Sequence, residues 1–128
     1  MTAKSVVEAM YAAYAQGDLE ATFALLHPDV LHTAHATNAR AKFCGTFNGV
    51  DAVRARISLI NEHWTFEMYA PQTVIAEGQR VAAMVQMIAV ERHTGQRIEM
   101  VVGHFFVVQD GKITELIEIF DSALVDAA

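Results

Sequence analysis

From Trp64 onward the chain is built of four β-rich runs whose links are too short to hold a crossover. The runs are Trp64–Ile75, Val81–Arg92, Arg97–Gln109 and Lys112–Phe120, dense in β-branched and aromatic residues. Glu77-Gly78, His93-Thr94-Gly95 and Asp110-Gly111 separate them and carry turn chemistry. Short links make neighbouring strands antiparallel, so this half is expected to fold as a four-strand meander. In Val101–Val108 the alternation of a half-buried strand fails, which implies burial on both faces. One face can cover the chain's own helices. The simplest cover for the other is a second copy, so a homodimer through the outer sheet face is expected.

The first half has helical spacing. Ser5-Val-Val-Glu8 has the form of a capping box, with Thr2 as an earlier alternative start. Val7, Met10, Tyr11 and Tyr14 then form one apolar face. Gly17 ends this helix and Asp18 caps a second, which carries Leu19, Phe23 and Leu26 inward and stops before Pro28. Gly49 and Asp51 open a third, with Val53, Ile57 and Ile60 on its buried face. Val30-Leu-His32 reads as a short strand, and Thr33–Asn48 as a polar loop carrying Phe43 and Phe47. No repeat or linker interrupts the pattern, so one α+β domain over 1–128 is expected, its sheet wrapped over three helices around an apolar pocket.

Composition narrows what such a domain can do. The chain has 128 residues, 53% hydrophobic and 19% charged, which is too apolar for a solvating chain. Its formal charge of −6 argues against a nucleic-acid partner, which needs clustered Lys and Arg. Arg54 and Arg56 form the nearest basic cluster and read as a solvated helix face. Cys44 stands alone, excluding an internal disulfide and pointing to a reducing, cytoplasmic setting. The N-terminal residues lack a signal-like apolar region, and no apolar run approaches a membrane span.

The last strand holds the residue with most chemical promise. Leu116, Glu118 and Phe120 share one face by the period of two, while Glu115 falls on the other. Desolvation between two large apolar side chains is expected to raise the Glu118 pKa, as a general base near neutral pH requires. The hairpin register decides its neighbour. A two-residue Asp110-Gly111 turn pairs Gln109 with Lys112 and sets Glu118 opposite Gly103. A three-residue loop with a bulge pairs Val108 with Lys112, sets Glu118 opposite Val102, and places His104 on the same face, opposite Leu116. His104 then serves either as acid–base partner or as a core histidine bonded to a carbonyl. His32 and His35 have His-x-x-His spacing, but a strand sends the two rings to opposite faces, so no metal is expected. His27, His63 and His93 fall at boundaries and turns. Tyr14, Phe43, Phe47, Trp64 and Phe66 are candidates for a pocket mouth or for the core.

Three strings carry a resemblance: Tyr11-Ala-Ala-Tyr-Ala-Gln-Gly-Asp-Leu19, Gly45-Thr-Phe-Asn-Gly-Val-Asp-Ala-Val53, and Asp110-Gly-Lys-Ile-Thr-Glu115 leading to Phe120-Asp121. With helices first and a meander after, the chain resembles the nuclear-transport-factor-2-like superfamily, especially the SnoaL-like polyketide cyclases. The resemblance implies the cone-shaped, cystatin-like fold. Aligned on ketosteroid isomerase, the three catalytic positions hold Met10, Ala34 and Gly103; aligned on limonene epoxide hydrolase, the Arg-x-Asp positions hold Val85 and Met87. The acidic residue on the last strand survives, as Glu118. Likeness to the hydrolases and cyclases favours the second register, which brings His104 beside Glu118, whereas the isomerase pattern favours the first; the second is the one expected here. Glu118 and His104 are therefore the expected catalytic pair. Tyr14, His32, Phe47, Trp64, Met100, Val102, Leu116 and Phe120 are expected to hold a hydrophobic small molecule. Cyclisation, isomerisation or dehydration of a carbonyl compound needs only a base and a place for the oxyanion, so no cofactor is implied. The alternatives are a non-catalytic ligand-binding domain and a dimerisation module of the same fold.

Overall fold

Helix α1 (Ala3–Ala15) begins at the earlier of its two possible starts. Thr2 is the N-cap: its hydroxyl accepts the Ser5 N–H at 3.1 Å, and the Ser5 hydroxyl returns a bond to the Thr2 carbonyl at 2.9 Å. The capping box expected at Ser5 and Glu8 does not form, because Ser5 already lies in the first turn. Gly17, at φ +72°, closes α1, and Asp18 caps α2 (Leu19–Ala24) by accepting from the Ala21 N–H. Both ends follow the sequence reading.

The computed structural model describes residues 1–35 and 42–128. After α2 come β1 (Leu26–His35), β2 (Gly45–Asn48), α3 (Val50–His63), β3 (Trp64–Glu77), β4 (Arg80–Glu91), β5 (Arg97–Gln109), β6 (Lys112–Ile119) and α4 (Ser122–Ala127). The meander β3-β4-β5-β6 is antiparallel throughout, as its short links require. The sheet does not end there. β1 lies parallel to β6, and β2 pairs antiparallel with β1, giving the order β2-β1-β6-β5-β4-β3.

Two elements correct the sequence reading. β1 is ten residues long, where three were expected, and Gly45–Asn48 is an edge strand inside the expected polar loop. Residues 36–41 of that loop lie outside the described residues. β1 does alternate, burying Val30, His32 and Ala34, but histidine and alanine give almost no hydrophobic signal. A fourth helix, α4, is capped by Asp121, which accepts from the Leu124 N–H at 3.0 Å.

The inner sheet face meets α1 in the main core, where Val6, Val7, Val85, Phe106 and Ile113 are almost wholly excluded from water. The outer face is apolar and open: Met84, Val101, Phe105 and Ile119 are each about half exposed. Among the described residues no helix is long and apolar enough to cross a membrane.

Candidate active site

The Asp110-Gly111 turn determines which residues meet. Both residues have positive φ, +51° and +77°, so the hairpin closes on two residues and Val108 pairs with Ile113. Thr114 is then bulged out of the ladder, with its hydroxyl donating to the Val107 carbonyl at 3.2 Å, and pairing resumes at Val107–Glu115. His104 consequently stands directly opposite Glu118. The expected Val108–Lys112 register is wrong, and so is the pairing of Glu118 with Val102. The error is two residues, which preserves the face, so His104 and Glu118 still project to the same side.

Four side chains join across the inner face. The Glu118 Oε2 lies 2.8 Å from His104 Nε2, and its Oε1 accepts from Arg56 Nη2 at 2.5 Å. Arg56 Nε donates to the Phe43 carbonyl at 2.8 Å, and Tyr11 Oη lies 2.6 Å from His104 Nδ1. Arg56 is therefore no solvated residue: its side chain is 6% exposed and that of Glu118 is 13% exposed. Helix α3 carries it into the site beside Val53, one turn away on the buried face.

Charge sets the proton positions. Burial by itself pushes the Glu118 carboxyl upward, but the Arg56 guanidinium and the His104 hydrogen bond together overcome it. The net effect holds the carboxyl well below the usual range, opposite to the rise expected from sequence. An ionised carboxylate only accepts, so His104 Nε2 carries a proton. Burial, then the charge of Glu118, raises the Tyr11 phenol, which remains a neutral donor. Tyr11 Oη closes the contact at His104 Nδ1, so both ring nitrogens are engaged. Tyr11→Phe would leave that buried nitrogen without its hydrogen-bond partner, at a cost of about 1–3 kcal/mol. Urea unfolding should show this loss; an unchanged midpoint would mean the contact carries no weight.

Glu118 forms part of the wall of an apolar cavity of about 100 Å³. Tyr14, Trp64, Met100, Val102 and Phe120 line it, and so do Phe43 and Phe66. Arg56 and Tyr69 also line it and were not anticipated. Burial followed by the nearby Glu118 charge pushes the Tyr14 phenol up to about 12 and raises Tyr69 well above its ordinary value. Both are neutral hydroxyls at working pH.

Four expected site residues do not reach the cavity. His104 sits behind Glu118, 2% exposed and bonded at both ring nitrogens. Leu116, two residues nearer the turn, packs against the main core. Phe47 lies on the far side of the ion pair, with the Arg56 guanidinium 5.5 Å from its ring centroid. His32 is buried with its ring 6.0 Å from Phe47, and neither of its nitrogens has a partner. Burial, then the Arg56 charge, lowers its pKa to about 4, so it is neutral. His35 is exposed, so the two rings of the His-x-x-His string do diverge.

Comparison with known proteins agrees with this architecture. The family model for the SnoaL-like domain matches residues 7–116. A nuclear-transport-factor-2-like protein of unknown function from Burkholderia pseudomallei is 24% identical, with a TM-score of 0.88 over 99% of this chain and 97% of its own. A nuclear-transport-factor-2-like protein from Burkholderia thailandensis is 25% identical, with a TM-score of 0.89 over 100% and 97%. A protein from Xanthomonas campestris, described provisionally as a polyketide cyclase, is 26% identical, with a TM-score of 0.81 over 98% and 94%. Among curated protein sequences, none matches.

Proposed function

We propose, on the premise that this chain belongs to the SnoaL-like domain family, that it moves a proton on a small hydrophobic carbonyl compound, with Glu118 as base. The observation that carries this reading is an ionised carboxylate in the wall of an apolar cavity, each oxygen held by a fixed donor. A general base works best when its position is set before the substrate arrives. Arg56 and His104 supply that setting, and Tyr11 fixes the histidine in turn. His104 is thus a positioning residue, one step back from the role expected of it.

The electrostatics narrow the substrate class. A carboxylate held this far down is a weak base, so the proton it removes must be activated, as on a carbon between two carbonyl groups. The charge that develops falls on a carbonyl oxygen, for which Tyr14 and Tyr69 supply neutral hydroxyl donors. Glu118 takes the proton from carbon, the tyrosines hold the enolate, and the proton returns to carbon or oxygen. Cyclisation, isomerisation and dehydration can each start from that step without a cofactor. The cavity is smaller than the roughly 150 Å³ space that accepts benzene. A compact substrate fits best, and a polycyclic one requires the walls to move apart.

Deuterium exchange at C2 of methyl acetoacetate, followed by NMR in D2O, tests the chemistry. The protein should accelerate exchange beyond buffer, and native mass spectrometry should find a co-purifying small molecule. Absence of both sinks the reading. The weak basicity of Glu118 favours one alternative, a non-catalytic binder using the same cavity. A bound ligand without accelerated exchange would support it.

The outer sheet face supports a second proposal, a homodimer. Met84, Val101, Phe105 and Ile119 form an apolar surface on three adjacent strands, with Gly103 leaving room at its centre. Sedimentation at micromolar concentration should show a dimer, and Phe105→Glu should shift it to monomer. A wild-type monomer at that concentration ends the proposal.

A further inference from the structure

We propose that His63, Glu91 and His93 form a binding site for a borderline divalent transition ion of the zinc type. The three side chains come from different places. His63 ends α3, Glu91 ends β4, and His93 stands in the β4–β5 turn. One ligand atom from each lies within 4.8 Å of the other two. The Glu91 Oε2 is 3.7 Å from His63 Nδ1, and its Oε1 is 3.1 Å from His93 Nδ1. The two separations, measured to different carboxylate oxygens, bracket the about 3.3 Å between ligands that stand about 2.0–2.1 Å from a tetrahedral zinc.

The backbone holds the arrangement in place before any ion arrives. The His93 N–H donates to Glu91 Oε1 at 2.5 Å, and the Arg92 N–H donates to the His63 carbonyl at 2.7 Å. Trp64, the residue after His63, pairs with Glu91 across β3 and β4. The last carbonyls of α3 add favourable potential for a cation. Arg92 is the adverse charge nearby, and its Nε is engaged by the Asn61 carbonyl.

The β3–β4 pairing brings His63 to Glu91 and the turn brings His93, so two separate backbone arrangements converge on one carboxylate. Two imidazoles and one carboxylate suit zinc and its neighbours, whereas magnesium and calcium prefer all-oxygen sites. The His63 and His93 side chains are 42% and 68% exposed, which leaves a side open for a water ligand. An ion here would tie the end of α3 to the β4–β5 turn. It would also stiffen one end of the cavity, because the His63 ring meets Phe43 edge-on, 6.0 Å between centroids, and adjoins Trp64.

Calorimetric titration of metal-stripped, tag-free protein with zinc chloride tests the site. One ion per chain is expected, with no binding of magnesium. His63→Ala and His93→Ala should each weaken zinc by roughly tenfold or more, since even a supporting contact contributes ten- to hundredfold. Both rings are exposed, and circular dichroism will verify that the variants fold. Cobalt substitution should give the visible bands of a four-coordinate ion, absent from both variants. No zinc binding, equal binding of magnesium, or zinc affinity unchanged in both variants would overturn the proposal.

Discussion

Arg56→Met is expected to lose about 3–5 kcal/mol of folding stability at neutral pH, the typical result of removing one partner of a buried ion pair. Methionine fills much of the same space, so the loss reports charge more than packing. Some of it comes from the guanidinium over Phe47, worth about 0.5–2 kcal/mol. The pH dependence identifies the rest. In the wild type the Glu118 carboxyl is depressed in the folded state. Its contribution is therefore complete above the unfolded value of about 4.3 and is lost as pH falls through the folded value. Without Arg56, burial dominates and the folded carboxyl rises, which penalises the variant increasingly above the unfolded value. The gap should be widest near pH 7 and narrow towards pH 4 as the variant's carboxyl protonates. Urea unfolding at both pH values measures it. A gap under about 1 kcal/mol, or one equal at both pH values, would mean Arg56 acts by packing alone.

Glu118→Gln should return the exchange of methyl acetoacetate to the buffer rate, removing the roughly 10²–10⁴-fold acceleration that a positioned base supplies. The amide retains the shape of the side chain but cannot accept a proton from carbon. It also presents an N–H2 donor where His104 already donates, unless the imidazole changes tautomer. Weakened charge-assisted bonds should lower stability by about 1.5–3 kcal/mol. Because the wild-type carboxyl is depressed, this difference is full above about pH 4.3 and closes as pH falls through the folded value. Read from sequence alone, burial between Leu116 and Phe120 implies the reverse, a glutamine variant as stable as wild type or slightly more so. Arg56 changes the sign. A variant with lower stability but unchanged exchange would leave Glu118 a structural member of the ion pair and nothing more.

Much of the fold was legible because it rests on local chemistry. Four β-rich runs with turn residues between them have essentially one short-loop arrangement. Gly17-Asp18 ends one helix and starts the next by conformational freedom and capping, and both act within a few residues. The face shared by Leu116, Glu118 and Phe120 followed from strand period alone. The apolar outer face of β5 was equally plain from the failure of alternation in Val101–Val108.

The tertiary structure decided what depends on one element meeting another. β1 lies beside β6 only because the chain returns after four intervening strands, and its buried His32 and Ala34 carried no apolar signal. The bulge at Thr114 is one hydroxyl reaching one carbonyl, too small an event to read from composition. Arg56 is the telling case. By helical angle it stands about 60° from Val53, at the margin of the apolar stripe, where a charged residue normally reaches water. It turns inward because a strand 62 residues later presents a carboxylate there. Local sequence thus determined which residues share a face. Which charges those faces meet, and hence whether Glu118 is raised or depressed, depended on long-range packing, because electrostatic partners are chosen by distance in space and not along the chain.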